Sequence, residues 1–186
     1  LWFGCTGQVG DYNQYLEKHA QAKVYDGEVL QFAAEKSTQR SEQALTMYAD
    51  LSNASTTPAD PSQVRLNSIG GESWKNPGQW VSWEVDVPES AYYVLTFKYR
   101  QDYVNGFKVY REILIDGEVP YQELNCVSFD PNTSWDNMTV SDSEGKPYYI
   151  YLEKGSHVLS LEVTVGNMSE YFYELSKIVD IIGDEY

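Results

Sequence analysis

The segment Trp80-Val81-Ser82-Trp83-Glu84-Val85-Asp86-Val87 places Val81, Trp83, Val85 and Val87 on one face and Ser82, Glu84 and Asp86 on the other. This period of two is the pattern of a half-buried β-strand, and Pro88-Glu89 closes it. The same alternation recurs downstream in Tyr93, Leu95, Phe97 and Tyr99, and then in Val109, Arg111, Ile113 and Ile115 against Tyr110, Glu112 and Leu114. Asp116-Gly117 follows as a hairpin turn, with glycine available for a positive φ. These runs predict three antiparallel strands in order. Further strands are predicted at Tyr149–Leu152 and His157–Val165, separated by the turn Glu153-Lys154-Gly155-Ser156. Upstream, Val29-Leu30-Gln31-Phe32-Ala33-Ala34-Glu35 reads as a first strand. Short strands divided by turns, with no helical crossover, describe an all-β antiparallel sandwich and argue against an α/β design.

The flanks have a different period. Asp11 with Gln14 forms a helix-start signature, and Tyr12, Tyr15, Leu16 and His19 then share one helical face. At the other end Asn167 with Glu170 repeats the cap signature, and Phe172, Leu175, Val179 and Ile182 recur at helical spacing. The polar stretch reaching Pro58, Asp60 and Pro61 reads as loop or insertion. The expected organisation is an N-terminal extension with a short helix (1–27), a β-sandwich module (28–166) and a C-terminal helix (167–186). Gly183-Asp184-Glu185-Tyr186 is no convincing globular end, so that helix is expected to lead to a covalently linked partner domain.

The 186 residues suffice for one domain with its own core. Aromatic residues make up 15%, including 16 Tyr and 5 Trp, a surplus that suits stacking surfaces as well as cores. A formal charge of −15 opposes binding to nucleic acid or anionic lipid. No apolar run approaches the roughly 18 residues of a membrane helix. Two cysteines, Cys5 and Cys126, permit at most one disulfide and exclude a Cys-rich metal framework; whether they pair is open. Trp2 and Phe3 fit poorly with the end of a lipoprotein signal.

Catalytic chemistry has little to stand on. His19 and His157 are the only histidines, and His157 follows a glycine turn at a strand start, where a sheet role accounts for it. The chain has no GxSxG elbow, HExxH helix, phosphate-binding loop or GxGxxG fingerprint. Two suitably spaced carboxylates would make a glycosidase, but surface solvation accounts for nearly all of the 28 acidic residues. No catalytic residue is expected.

The ordered set Asn67-Ser68-Ile69-Gly70-Gly71, Pro77 through Pro88-Glu89 and Tyr93 through Arg100 resembles family 6 and family 35 carbohydrate-binding modules. The resemblance continues through Arg111–Gly117, Trp135 and Leu152–Leu161, covering residues 28–166. Arg100-Gln101, the Arg111–Pro120 run and the terminal helix are further similar to a module in extracellular solute-binding proteins of Gram-positive sugar ABC transporters. The resemblance implies a galactose-binding-like jelly roll, secreted or attached to the cell surface, whose ligand is an oligo- or polysaccharide. Sugar rings offer apolar C–H faces and a hydroxyl rim, so flat aromatics and Asn, Gln, Arg or Asp side chains are the chemistry to look for.

On that basis the expected carbohydrate contacts are Trp135, in the polar loop Asn132–Asn137, with Tyr103, Trp74, Asn67 and Asn167; Trp83 is expected in the core. Related modules hold a structural Ca²⁺ with acidic groups from their first and last strands. Here Phe32-Ala33-Ala34-Glu35 stands at the first position, leaving Glu35 alone to serve a metal that needs about six oxygen ligands, and no cofactor is expected. The alternative function is a structural or interaction domain that packs on a solute-binding or catalytic domain without a sugar site of its own.

Overall fold

The computed structural model describes residues 9–50, 52, 66–102 and 106–166. Among these residues one helix, α1 (Tyr12–Lys18), precedes eleven strands: β1 (Gln39–Arg40), β2 (Met47–Tyr48), β3 (Ser68–Ile69), β4 (Trp80–Val87), β5 (Ala91–Val94), β6 (Thr96–Gln101), β7 (Val109–Ile115), β8 (Val127–Phe129), β9 (Asn132–Thr139), β10 (Tyr149–Leu152) and β11 (Gly155–Thr164). All named strand pairs are antiparallel. The fold is the expected antiparallel β-sandwich.

One layer is a five-stranded sheet ordered β1-β4-β11-β7-β8; the other consists of the pairs β10-β5, β6-β9 and β2-β3. The runs at 80–87, 93–99 and 109–115 are strands, but they are not neighbours in a single sheet. β11 separates β4 from β7, pairing Leu159 with Trp83 on one side and with Ile115 on the other, while β5 and β6 belong to the second layer. Period two assigns faces and says nothing about which strand lies beside which.

The core lies where the inward faces meet. Val81, Trp83, Val85 and Val87 from β4, Leu159 and Leu161 from β11, and Phe129 from β8 are all buried. From β6, Phe97 and Tyr99 reach Phe129 across the layers, with ring centroids 5.9 and 5.1 Å apart. Trp83 is in the core as expected, its indole N–H donating to Ala34 O at 2.9 Å. Ser82 was assigned to the wet face, yet it is buried between its neighbours Gln39 of β1 and Ser160 of β11, with its hydroxyl 2.8 Å from that of Ser160. The Asp116-Gly117 turn has positive φ at both residues, 53° and 86°, as a tight hairpin requires.

The expected first strand at 29–35 is absent. Val29 is 85% exposed, and Ala34–Lys36 close into a single 3₁₀ turn. The nearest sheet contact is made earlier, where Tyr25 N donates to Tyr92 O and Tyr92 N to Lys23 O; pairing resumes at Thr38. Among the described residues no strand pairs with the 29–35 run, so it lacks the ladder that would extend it.

Helix α1 forms as its cap predicts, with Asp11 Oδ1 accepting from Gln14 N at 2.9 Å. It lies along the outer edge of β10, where Tyr149 N donates to the Tyr12 hydroxyl at 3.0 Å and Tyr151 N to the Tyr15 hydroxyl at 2.8 Å. Two side chains one helical turn apart thus meet alternate amides of a strand. Burial pushes the Tyr15 phenol up to about 12, so it stays protonated. His19 stacks on Tyr151, centroids 4.4 Å apart. The predicted C-terminal helix, Tyr103, Asn167 and Cys5 lie outside the described residues; Cys126 is half-buried at the end of the 3₁₀ turn Gln122–Cys126.

Candidate functional site

Trp135 was expected in a polar loop, but Asn132–Thr139 is strand β9, paired with β6. Polar residues hide a strand from pattern reading when both its faces are wet, and no residue of β9 is buried. The β6–β9 register breaks between the pairs Tyr99↔Asp136 and Gln101↔Asn132, so that three residues of β9 oppose Arg100 alone. Such a bulge re-aims side chains, and here it sets Trp135 beside Arg100, whose guanidinium carbon is 5.8 Å from the ring centroid.

A buried carboxylate ties these two side chains together. Asp50 Oδ2 accepts from Arg100 Nη1 at 2.8 Å and from the Trp135 indole N–H at 3.0 Å, while Oδ1 accepts from Ser52 N at 2.7 Å. Burial raises the Asp50 carboxyl, but the Ser52 hydroxyl and amide, the Trp135 indole and the Arg100 charge outweigh it and hold the group below the ordinary carboxylate range. Asp50 is therefore ionised at neutral pH.

Asn67 completes the cluster from beneath. Its Oδ1 accepts from Asp50 N at 2.8 Å and its Nδ2 donates to Asp50 O at 2.9 Å, a two-way clamp on the Asp50 backbone. Expected as a rim contact, Asn67 is 7% exposed, with both ends of its amide bonded to the Asp50 backbone. Trp135, Arg100, Asn67, Tyr48, Lys98 and Asn137 line part of a broad groove of about 2320 Å³.

Trp74 lines the same groove farther along but is engaged on several sides. The Arg111 guanidinium sits 4.9 Å over its ring, Trp83 lies 6.4 Å away, and its indole N–H donates to Gln79 O at 3.2 Å. Gly70, at φ 101°, backs the ring so closely that a Cβ there would stand 3.0 Å from it. Arg111 donates to Tyr110 O and Trp74 O, and burial lowers its pKa to about 10, leaving it charged at neutral pH. Trp74 is thus a half-buried packing element with little open face.

Glu35 lies in the 3₁₀ turn, and among the described residues no hydrogen-bond partner reaches its buried Oε2. Among the described residues no three His, Cys, Asp or Glu side chains gather as a metal site would need. His157 has both ring nitrogens on acceptors, Nδ1 at 2.7 Å from Asp116 Oδ2 and Nε2 at 2.7 Å from Glu153 O, as a sheet-stapling residue would. Its partners are a turn carboxylate and a backbone carbonyl, and no nucleophile is among them.

Sequence reasoning missed Asp50, Arg100 and Tyr48. Arg100 was legible in principle, since Phe97 and Tyr99 face inward and the even-numbered residues of β6 must face away. Asp50 sits at the edge of the polar stretch read as loop, and no local pattern marks it.

No protein-family model matches the chain, and no curated protein matches it. Solved structures do share the fold. A family 35 carbohydrate-binding module from Clostridium thermocellum superposes with a TM-score of 0.51 at 16% identity, over 75% of this chain and 88% of that one. A cycloisomaltooligosaccharide glucanotransferase from Paenibacillus sp., solved with cycloisomaltoheptaose, gives a TM-score of 0.52 at 16% identity, over 86% of this chain but 21% of the enzyme.

Proposed function

We propose that this chain is a non-catalytic carbohydrate-binding module, and that its sugar site is the Trp135 end of the groove. The observation that carries the reading is Trp135 itself, half-exposed on a bulged strand and fixed by Asp50 and Arg100. A pyranose ring stacks its C–H face on the indole, while Asn137, Lys98 and the Arg100 guanidinium offer hydrogen bonds to its hydroxyls. The buried network beneath orders these groups before the ligand arrives, which reduces the ordering cost of binding. The likeness in fold to a family 35 carbohydrate-binding module supports the same reading. We further place the module outside the cell, joined to a partner domain whose substrate it helps to hold.

Screening on a glycan array followed by calorimetry tests this. The wild type binds at least one oligosaccharide, and Trp135→Ala abolishes that binding while the circular dichroism stays native. Absence of any glycan ligand, or unchanged affinity in a folded Trp135→Ala variant, overturns the reading.

A further inference from the structure

Trp135 shares its face of the sheet with a second aromatic ring. Phe97 and Tyr99 meet Phe129 of the opposite layer, so Thr96, Lys98 and Arg100 turn outward, and with them their neighbours on β9, Thr139 and Asn137. Trp135, two residues from Asn137, lies on the same side. Only Leu95 separates β6 from β5, and there Ala91 and Tyr93 are in the core. Tyr92 and Val94 therefore turn outward, opposite Tyr151 and Tyr149 of β10. β9 and β10 lie end to end along residues 91–101, and their outward side chains form one row.

Along that row Trp135 is followed by Asn137, then Thr139, then Tyr149. Asn137, Thr96 and Val94 are exposed, and Trp135, Thr139 and Tyr149 are partly so. Tyr149 stands opposite Val94 and Trp135 beside Arg100, which at about 3.3 Å per residue puts the two rings roughly 20 Å apart. Between them are the Asn137 amide and the hydroxyls of Thr96 and Thr139, whose oxygens are 2.9 Å apart. The row ends at Tyr149. The next ring, Tyr151, is stacked by His19 with centroids 4.4 Å apart, and Tyr92 beside it is buried.

We propose that this row is a lane for an extended, unbranched and uncharged glycan chain, with Trp135 and Tyr149 as its two stacking stations; the lane rests on the sugar reading of Trp135. Sugar rings lay their C–H faces on the two aromatics and on Val94, while their hydroxyls meet Asn137 and the two threonines. About four pyranose units of an extended chain fit the span of roughly 20 Å. The net charge of −15 repels acidic polysaccharides, and Lys98 and Arg100 on the same face oppose cationic ones. Two weak contacts joined through one ligand reinforce each other, because the second forms at a high effective concentration. A site at Trp135 alone reads one sugar, whereas the lane reads chain length.

Calorimetry with the disaccharides and hexasaccharides of the cello, manno and xylo series tests this. In at least one series the hexasaccharide binds the wild type about tenfold more tightly than the disaccharide, or better. Tyr149→Ala brings that ratio close to one. Val94→Glu does the same by placing a carboxylate in the lane, at a position already 39% exposed and outside the core. Comparable affinity of the two lengths for the wild type, or an unchanged ratio in either folded variant, overturns the lane while the sugar reading stands. Absence of binding in all three series also overturns the lane, and the glycan array then decides whether the sugar reading falls with it.

Discussion

A single oxygen of Asp50 accepts hydrogen bonds from both Arg100 and Trp135, and Asp50 is 6% exposed. The carboxylate therefore determines where a cation and an aromatic plane stand relative to each other. Asp50→Leu leaves the indole N–H without its acceptor and Arg100 with only the more exposed Asp102 as carboxylate partner among the described residues, 3.2 Å from its Nε, at a cost of about 2 kcal/mol. The expected outcome is a lower urea midpoint together with red-shifted tryptophan emission. A variant as stable as wild type would show that the Arg100–Asp50–Trp135 link has no structural weight.

Trp74 and Trp135 should separate in their consequences. Truncating Trp74 opens a void beside Trp83 and leaves Arg111 without its aromatic face, so Trp74→Ala costs about 3 kcal/mol of stability. Truncating Trp135, which lies at the groove mouth, costs less stability and more ligand affinity. Denaturation and calorimetry on the two variants give opposite orderings if this division of labour holds.

His157 and Asp116 make stability depend on pH. Burial opposes the charged ring, but the Asp116 carboxylate and Glu153 carbonyl outweigh it and raise the His157 pKa. A raised histidine contributes its stability fully below its unfolded pKa of about 6.5 and loses it as pH rises through the folded value. Asp116 behaves in the reverse sense. Burial raises its carboxyl, but the His157 ring and the Val158 amide bring it below the ordinary value, so its contribution is lost as pH falls through that depressed value. The pair is half open to solvent on the Asp116 side, so about 0.5 to 1 kcal/mol is expected. Urea midpoints at pH 5.5 should exceed those at pH 8.5, and His157→Gln should flatten that difference.

The tyrosine hydroxyls that meet β10 are testable by deletion of one atom. Tyr12→Phe and Tyr15→Phe each strand a strand-edge amide at the cost of roughly 1 kcal/mol. The double variant speeds hydrogen exchange at Tyr149 and Tyr151. Unchanged exchange there would show that water replaces the phenols without loss.

Legibility in the sequence followed burial. β4 and β11 have one face sealed and one mostly wet, so their alternation could be read, and Asp11 announced α1 through a local hydrogen bond. β9 could not be read, because a strand with few buried positions carries no hydrophobic period. The run at 29–35 misled for the opposite reason, having a strand's composition without a neighbour among the described residues to pair with. At the site, Trp135 was visible as an aromatic among polar residues. Asp50 acquires its meaning from Arg100 and Trp135, respectively 50 and 85 residues away, and Asn67 reads as a surface amide until its partner is known.

The phenol caps along β10 also close one route to self-association. A sheet open on both sides recruits a strand that itself presents a fresh edge, and growth then has no natural stop. Here β10 ends against side-chain hydroxyls of a helix, which bond the amides and offer no ladder for the next strand. On this side of the sandwich the sheet therefore ends on a helix, and edge-to-edge growth is blocked there.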